Sequence, residues 1–359
     1  MQDTSIKEII NNPYTNFKNN ILREHNTVKE AMIRINHPAI QIVFVVNKKK
    51  QLVGTITDGD IRRAILQKKD LNTPIKKIMH LNYFYVKNNI NYSYISDQMR
   101  KRTIHYVPLL NKKKIIQKIF SDRISLLKKN KIKQKYPIVI LAGGKGLRMK
   151  NLTKKIPKPL LLFKKMPILE RIILNLKKNN YLNIYLSVHH LKEKIIKYFG
   201  NGKKFGVTIN YIIEKKPLGT GGCIKMLPTK NNNSIIVMNS DIICDLNINN
   251  LLNYHQKNKA YATMAVRVLD KSNPYGVIKT SGINIKGFEE KPLERTYVNA
   301  GIYVFSSKVK KFLKTNKRID MPEIFRYLKL KKKKIIIFPI IENWIDLGTY
   351  EKYNFYNKF

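Results

Sequence analysis

The sequence contains almost no cysteine: Cys223 and Cys244 are the only two in 359 residues. Neither has Cys or His neighbours at metal-ligand spacing, so a disulfide framework and a cysteine–histidine metal site are both excluded, and a reducing compartment fits. Long apolar runs are also missing. Nothing approaches the ~20 residues that cross a bilayer, and the opening MQDTSIKEII has no apolar signal core. A cytoplasmic protein that does not use a membrane is expected. Acidic residues are scarce, 23 against 70 Lys and Arg, for a formal charge of +47. Such an excess suits phosphate backbones. Here, however, the lysines run along the whole chain among Asn and Ile, and the clusters at 128–135 (KKNKIKQK) and 331–334 (KKKK) are short. This is a composition bias, and no nucleic-acid partner is expected. A positive field still speeds the capture of small anions. The hydrophobic content of 43% over 359 residues allows two globular domains.

What is present centres on residues 138–160, IVILAGGKGLRMKNLTKKIPKPL. Ile138 to Ala142 have the length and branching of a buried strand. Gly143, Gly144 and Gly146 follow, a glycine turn whose backbone N–H groups can close around phosphate oxygens because no Cβ blocks the approach. Arg148 and a Pro-flanked Lys158 lie just downstream. The plain alternative is a tight surface turn with a basic loop behind it. Two phosphate-loop patterns do not apply. The sixth residue from Gly144 is Met149 where a dinucleotide fingerprint needs Gly, no acidic residue follows at ~20 positions, and no Gly-Lys-Ser/Thr closes a Walker loop.

Leu141 to Met149 with Pro157 to Leu160 resembles the signature of the sugar-1-phosphate nucleotidyltransferases, a strand followed by L-A-G-G-x-G-x-R-[LM] and then P-K-P-L. Leu147 departs from it, standing where many members carry Thr. The resemblance extends through the chain. Residues 207–224, VTINYIIEKKPLGTGGCI, resemble the segment that reads the base, with Glu214 ending a strand ahead of Gly219, Thr220 and Gly221. A carboxylate only accepts hydrogen bonds, and guanine offers two adjacent donors where uracil and thymine offer one. GTP is therefore preferred, with the backbone of Leu218 to Gly222 as the alternative reader. The glycines there are expected to let the base lie against the main chain.

SIIVMNSDIICDL (234–246) reads as a strand ending at Asp241, with Asp245 more in keeping with a helix cap. Trp344, Asp346, Gly348 and Thr349 match the family's W-x-D-x-G-T string. The resemblance implies Mg²⁺ held by Asp241 and Asp346, with water and phosphate as its other ligands. Arg148 and the loop Leu141, Ala142, Gly143, Gly144 and Gly146 would hold the leaving phosphates, and Lys158 would sit at the α-phosphate. Gly276, Glu290, Lys291 and Asn299 would face the sugar phosphate. His189 and His190 follow a strand and read as surface residues.

The first 130 residues contain a weak repeat. Asn47 to Ile61 (NKKKQLVGTITDGDI) aligns with Asn111 to Ile124 (NKKKIIQKIFSDRI) at an offset of 64, each after an apolar strand (40–46, 104–110) and a helical stretch (27–35, 92–100). The pattern resembles a tandem pair of cystathionine β-synthase-type (CBS) domains. Gly54, Thr57 and Asp60 match that family's nucleotide pattern, whereas Lys118, Ser121 and Ile124 replace them in the second copy. One adenosine-type nucleotide site, using Thr57 and Asp60, is implied, and a purely structural or dimerising module is the alternative. Homo-oligomers through this module are expected.

The expected organisation is a CBS-type α+β module at 1–130, a basic linker at 128–135, and an α/β nucleotidyltransferase domain at 136–359. That domain should be Rossmann-like with a mixed sheet, its strands alternating with helices, mostly parallel and doubly wound, with the site at the strand C-termini. Among proteins with this layout it resembles the glucosamine-1-phosphate guanylyltransferases of legionaminic acid synthesis. Heptose- and mannose-1-phosphate guanylyltransferases and uridylyl- or thymidylyltransferases stand beside them. A sensor that binds sugar nucleotides without turnover is the non-enzymatic alternative, against which Arg148, Lys158, Asp241 and Asp346 argue.

Overall fold

The structure, a computed structural model, describes residues 17–358 apart from 36–40, 88–91, 103, 122–135, 229–233, 274, 291, 316 and 341. The chain divides between Lys131 and Ile132 into two compact units. The basic segment at 128–135 and Lys291 lie outside the described residues.

In the first unit, β1 (Ile21–Arg23) pairs parallel with β2 (Ile42–Val46), which pairs antiparallel with β3 (Leu52–Thr57). Helix α1 (Val28–Ile35) buries Val28, Ala31 and Ile35, a stripe at helical spacing, and α2 (Asp58–Leu66) follows β3. The second half repeats this plan. β4 (Val86–Lys87), α3 (Tyr92–Arg102), β5 (Tyr106–Leu110) and β6 (Ile116–Ser121) give the order β4-β5-β6, again one parallel and one antiparallel pairing. β5 and β6 begin and end 64 positions after β2 and β3. The β-bulges at Val45/Val46 and Leu109/Leu110 recur at the same spacing, as do the left-handed lysines Lys50 (φ 60°) and Lys114 (φ 59°). The two lysine turns meet: the Leu52 N–H donates to the Lys114 carbonyl at 2.9 Å and Gln51 Nε2 to the Lys113 carbonyl at 3.1 Å. Ile42, Phe44 and Leu52 share one core with Tyr106 and Leu110, so the copies are packed as halves of one body.

The second unit begins with β7 (Ile138–Leu141). A short hairpin of β8 (Leu162–Phe163) and β9 (Met166–Pro167) leads into α4 (Ile168–Lys178). β10 (Asn183–Val188), α5 (Lys192–Phe199), β11 (Thr208–Ile213), β12 (Ser234–Asn239), β13 (Ile242–Cys244) and α6 (Ile248–Lys257) follow. The chain continues through β14 (Ala262–Ser272), β15 (Val277–Ser281), β16 (Asn284–Glu289) and β17 (Leu293–Ser306). It then runs through α7 (Met321–Leu330), β18 (Ile335–Ile340), β19 (Trp344–Asp346) and α8 (Tyr350–Lys358).

Seven strands form the main sheet in the order β11-β10-β7-β12-β17-β14-β18. The first four are mutually parallel, β17 is antiparallel to both β12 and β14, and β18 runs parallel to β14. The parallel, doubly wound expectation therefore holds for one half, and β17 inverts the other. Alternate residues of β7 feed two cores. Ile138 and Ile140 join α4, α5 and α6 on one face, and Val139 joins α7 on the other. β7 has parallel neighbours on both sides, β10 and β12, so the loops after β7 and β12 open a crevice at the strand C-termini.

Beyond the sheet, the β14–β17 ladder continues from Val266/Asn299 to Ser272/Leu293 and carries the separate two-stranded hairpin β15–β16. That hairpin exposes Ile278 opposite Phe288, with Ile283 and Ile285 near its tip. Among the described residues no helix is long and apolar enough to cross a membrane.

Candidate active site

The glycine loop leaves the C-terminal end of β7, the central parallel strand. Gly146 adopts φ 65°, a conformation that disfavours a side chain, and a Cβ there would meet Thr153 Cγ2 at 2.9 Å. Thr153 Oγ1 ties the loop down by donating to the Gly146 carbonyl at 2.9 Å. Gly144 faces open space, and Lys145 and Arg148 are exposed beside it. The result is a turn with free backbone and cations on one side, as anion binding needs.

Lys158 begins a short 3-10 turn between its two prolines and is buried, its ammonium paired with Asp241 Oδ2. Asp241 Oδ1 is buried and accepts no hydrogen bond from the described residues. A buried carboxylate oxygen without a partner costs free energy unless something else occupies it. Asp346 is its neighbour: β13 pairs antiparallel with β19, setting Ile242 opposite Asp346, and the Leu347 N–H donates to the Asp241 carbonyl at 3.0 Å. The Trp344 indole donates to the Ala300 carbonyl at 3.0 Å and fixes β19 against β17. The backbones of Asp241 and Asp346, from distant parts of the chain, thus lie side by side, and the Asp241 carboxylate presents an orphaned oxygen. Hard oxygen donors of this kind fit a Mg²⁺ ion. Among the described residues no three His, Cys, Asp or Glu gather, so water and phosphate would complete such a coordination shell.

Asn299 lies within β17, opposite the bulge between Met264 and Val266. Its Nδ2 donates to Tyr303 Oη at 2.8 Å and its Oδ1 accepts from the Gly301 N–H at 3.0 Å. Burial raises the Tyr303 hydroxyl above its ordinary range; the Asn299 bond opposes this and the Asp241 charge adds to it. Asn299 therefore bonds a hydroxyl that feels the Asp241 charge. Gly276 and Glu290 stand together at the base of the exposed hairpin, where a Cβ on Gly276 would lie 3.1 Å from Glu290 Oε2.

Glu214 is buried at the end of β11, beside the glycine loop: its Oε1 is 3.5 Å from the position of a Gly143 Cβ. Oε1 accepts from Ser187 Oγ at 2.7 Å and Oε2 from the Leu218 N–H at 2.9 Å. Each oxygen already holds one protein donor, so Glu214 anchors the 214–218 turn, and only the second lone pair of each oxygen is left for a base. The glycines after it have a structural role of their own. Gly219 (φ 73°) would place a Cβ 2.6 Å from the Ile319 carbonyl, and Gly221 one 2.4 Å from Ile324 Cδ1. These positions must be small because the loop is pressed onto the start of α7.

Asp320 caps α7 and also accepts from the Thr220 N–H at 2.9 Å, while Thr220 Oγ1 accepts from the Met321 N–H at 2.7 Å. Ser187 and Asp320 carry no motif of their own, and only their contacts single them out. Asp245 is not the helix cap. Asn247 caps α6 by accepting from the Asn249 N–H at 3.0 Å, and Asp245 Oδ2 accepts from Asn343. His189 Nδ1 is bonded to the Glu214 carbonyl at 2.9 Å. Burial pushes the Cys223 and Cys244 thiols up to about 12, which leaves both as packing residues.

In the first unit, Thr57 and Asp60 bond each other. Asp60 Oδ2 accepts from the Thr57 N–H at 2.8 Å and from Thr57 Oγ1 at 2.6 Å, closing a capping box on α2, and Asp60 Oδ1 pairs with Arg63. The T-x-x-D spacing is accounted for by this cap.

The family description "Nucleotidyl transferase" matches residues 138–359 and "CBS domain" matches residues 6–67. Mannose-1-phosphate guanyltransferase of Pichia angusta is 33% identical over 219 residues, covering 58% of this chain and 60% of the relative. UTP–glucose-1-phosphate uridylyltransferase of Synechocystis sp. is 28% identical over 235 residues, with 60% and 61% covered. The chain thus spans 60% and 61% of the length of these curated relatives. Among solved structures, HddC from Yersinia pseudotuberculosis superposes with a TM-score of 0.49 at 26% identity, covering 62% of this chain and 98% of that one.

Proposed function

The chain belongs to the nucleotidyl transferase family, and on that premise we propose that it transfers a nucleotidyl group from a nucleoside triphosphate to a sugar 1-phosphate. The observation that carries the proposal is the corner of Asp241, Asp346 and Lys158 beside the glycine loop, with one carboxylate oxygen unpartnered.

In the proposed reaction an oxygen of the sugar phosphate attacks the α-phosphorus. The new P–O bond forms as the bond to the bridging α–β oxygen breaks, and pyrophosphate leaves. The nucleophile is already ionised at neutral pH, so no general base is needed, and alignment and charge stabilisation carry the rate. Free N–H groups of Gly143 to Gly146, with the exposed Arg148, face the departing phosphates. Lys158, held against Asp241, sets a positive charge at the α-phosphate. Gly276, Glu290, Lys291 and Asn299 are assigned to the sugar phosphate from the resemblance. Mg²⁺ held by Asp241 and Asp346 would supply further charge neutralisation at the α-phosphate.

GTP is the proposed donor, because Glu214 sits beside the loop with acceptor-only chemistry, and the Pichia angusta relative is named a guanyltransferase. Glucosamine 1-phosphate is the proposed acceptor on resemblance, with mannose 1-phosphate next. The first unit is proposed to bind an adenosine-type nucleotide and to join copies of the chain. Such a ligand would have to open the Thr57–Asp60 capping box or bind beside it. Pyrophosphate release across the four NTPs against a panel of sugar 1-phosphates tests the reading. No release with any pair would leave the fold as a sugar-nucleotide sensor.

A further inference from the structure

Both carboxylates at the proposed metal corner are neutralised by lysines of the same chain. Lys158 pairs with Asp241 Oδ2, and Lys352 Nζ lies 2.6 Å from Asp346 Oδ2, while the other Asp346 oxygen accepts from the Gly348 N–H at 2.8 Å. Two negative and two positive charges leave no net attraction for a free divalent cation. Lys352 is also held in place. It stands on α8, which is tied down by Lys150 to Glu351 at 2.8 Å, by Tyr353 Oη donating to the Leu162 carbonyl at 2.6 Å, and by Asn357 Nδ2 donating to the same carbonyl at 3.1 Å.

We propose that Lys352 keeps Asp346 closed to free divalent cations, so that the metal enters only together with the nucleoside triphosphate. The inference rests on the carboxylate-pair reading above. A cation arriving alone must displace an ammonium and then sit beside it. A cation arriving on a triphosphate carries an excess of negative charge, which gives Lys352 a new partner as Asp346 is released. Lys150 links α8 to the turn behind the glycine loop, so the same helix joins the phosphate side to the carboxylate side.

Trp344 is the single tryptophan and stands two residues from Asp346, so its quenching by paramagnetic Mn²⁺ reads this corner without turnover. MnCl₂ is titrated into the full chain with and without GTP, with no sugar phosphate present. In wild type, quenching without nucleotide should need far more Mn²⁺ than with GTP. In Lys352→Gln the nucleotide-free midpoint should fall at least about tenfold, the scale of a unit charge acting on a divalent ion about 6 Å away through water. Lys352→Arg should stay at the wild-type value. Adding Asp346→Asn to Lys352→Gln should abolish the gain. An unchanged midpoint in Lys352→Gln, with quenching still dependent on Asp346, overturns the role of Lys352 and leaves the metal pair standing. Quenching that ignores Asp346→Asn with GTP as well as without it overturns the metal pair, and the proposal with it.

Discussion

Replacing Asp241 with Asn removes the oxygen free to meet a metal and strips a buried ammonium, Lys158, of its counter-charge. Two effects should follow. Turnover at saturating Mg²⁺ should fall at least a hundredfold. Stability should drop by about 3–5 kcal/mol, because one partner of a largely buried pair is lost. Steady-state kinetics and urea denaturation check both, and wild-type turnover would remove Asp241 from the reaction. Glu214→Gln separates reading from anchoring. The amide oxygen can keep the Leu218 N–H, and the Ser187 hydroxyl can turn to accept from the amide nitrogen, so the turn should hold. If the remaining lone pairs read guanine, the kcat/KM ratio of GTP to UTP should fall about five- to a hundredfold, or 1–3 kcal/mol. An unchanged ratio assigns base reading to the main chain.

His255 gives a pH signature unrelated to catalysis. Burial lowers it to about 4 while Nδ1 bonds Thr263 Oγ1 at 2.8 Å. The unfolded chain takes up a proton near the ordinary value of 6.5, and the folded chain resists until about 4. Acidification between those values therefore favours unfolding, and the stability is fully present above the window. Denaturation at pH 7 and pH 4.5 should show wild type losing on the order of 2 kcal/mol more than His255→Gln. At this scale the motif residues are legible in the sequence because type and spacing carry the chemistry. Ser187 and Asp320 are not, since a buried serine and a helix cap occur everywhere. Thr57 and Asp60 carry two readings at once, because the nucleotide-motif spacing is also the spacing of a cap.

At the level of elements, the loop 214–222 and the start of α7 form one interlocked piece, although Thr220 and Asp320 are 100 positions apart. Asp320→Ala should cost about 1 kcal/mol through the lost cap. It should also release Thr220, raising KM for the nucleoside triphosphate several-fold more than KM for the sugar phosphate. Equal changes in the two KM values would make Asp320 a purely structural cap. The strand at 183–188 is readable from its apolar residues and coincides with β10. The inversion at β17 is not readable, because strand direction depends on where the chain returns. The pairing of β13 with β19, which makes the carboxylate corner, is likewise set by long-range closure.

In the whole molecule, the 64-residue repeat is the largest regularity that the sequence exposes, and the bounds of β2 and β3, the bulges and the left-handed lysines follow it. The copies share the geometry of their strand–turn–strand hairpins and differ in chemistry, since Lys118, Ser121 and Ile124 stand where the first copy has Gly54, Thr57 and Asp60. The hairpin β15–β16 has a colloidal consequence. A two-stranded ribbon with Ile278 and Phe288 exposed, and with no further strand on either edge among the described residues, is a template for pairing between molecules. What opposes pairing through this ribbon is mutual repulsion at a formal charge of +47. Salt shortens the reach of that repulsion to about 3 Å at 1 M. The protein should therefore behave unlike one that salt dissolves: light scattering should rise with NaCl, and Phe288→Lys should flatten the rise. Scattering that falls with salt in both proteins would trace self-association to charge rather than to the ribbon.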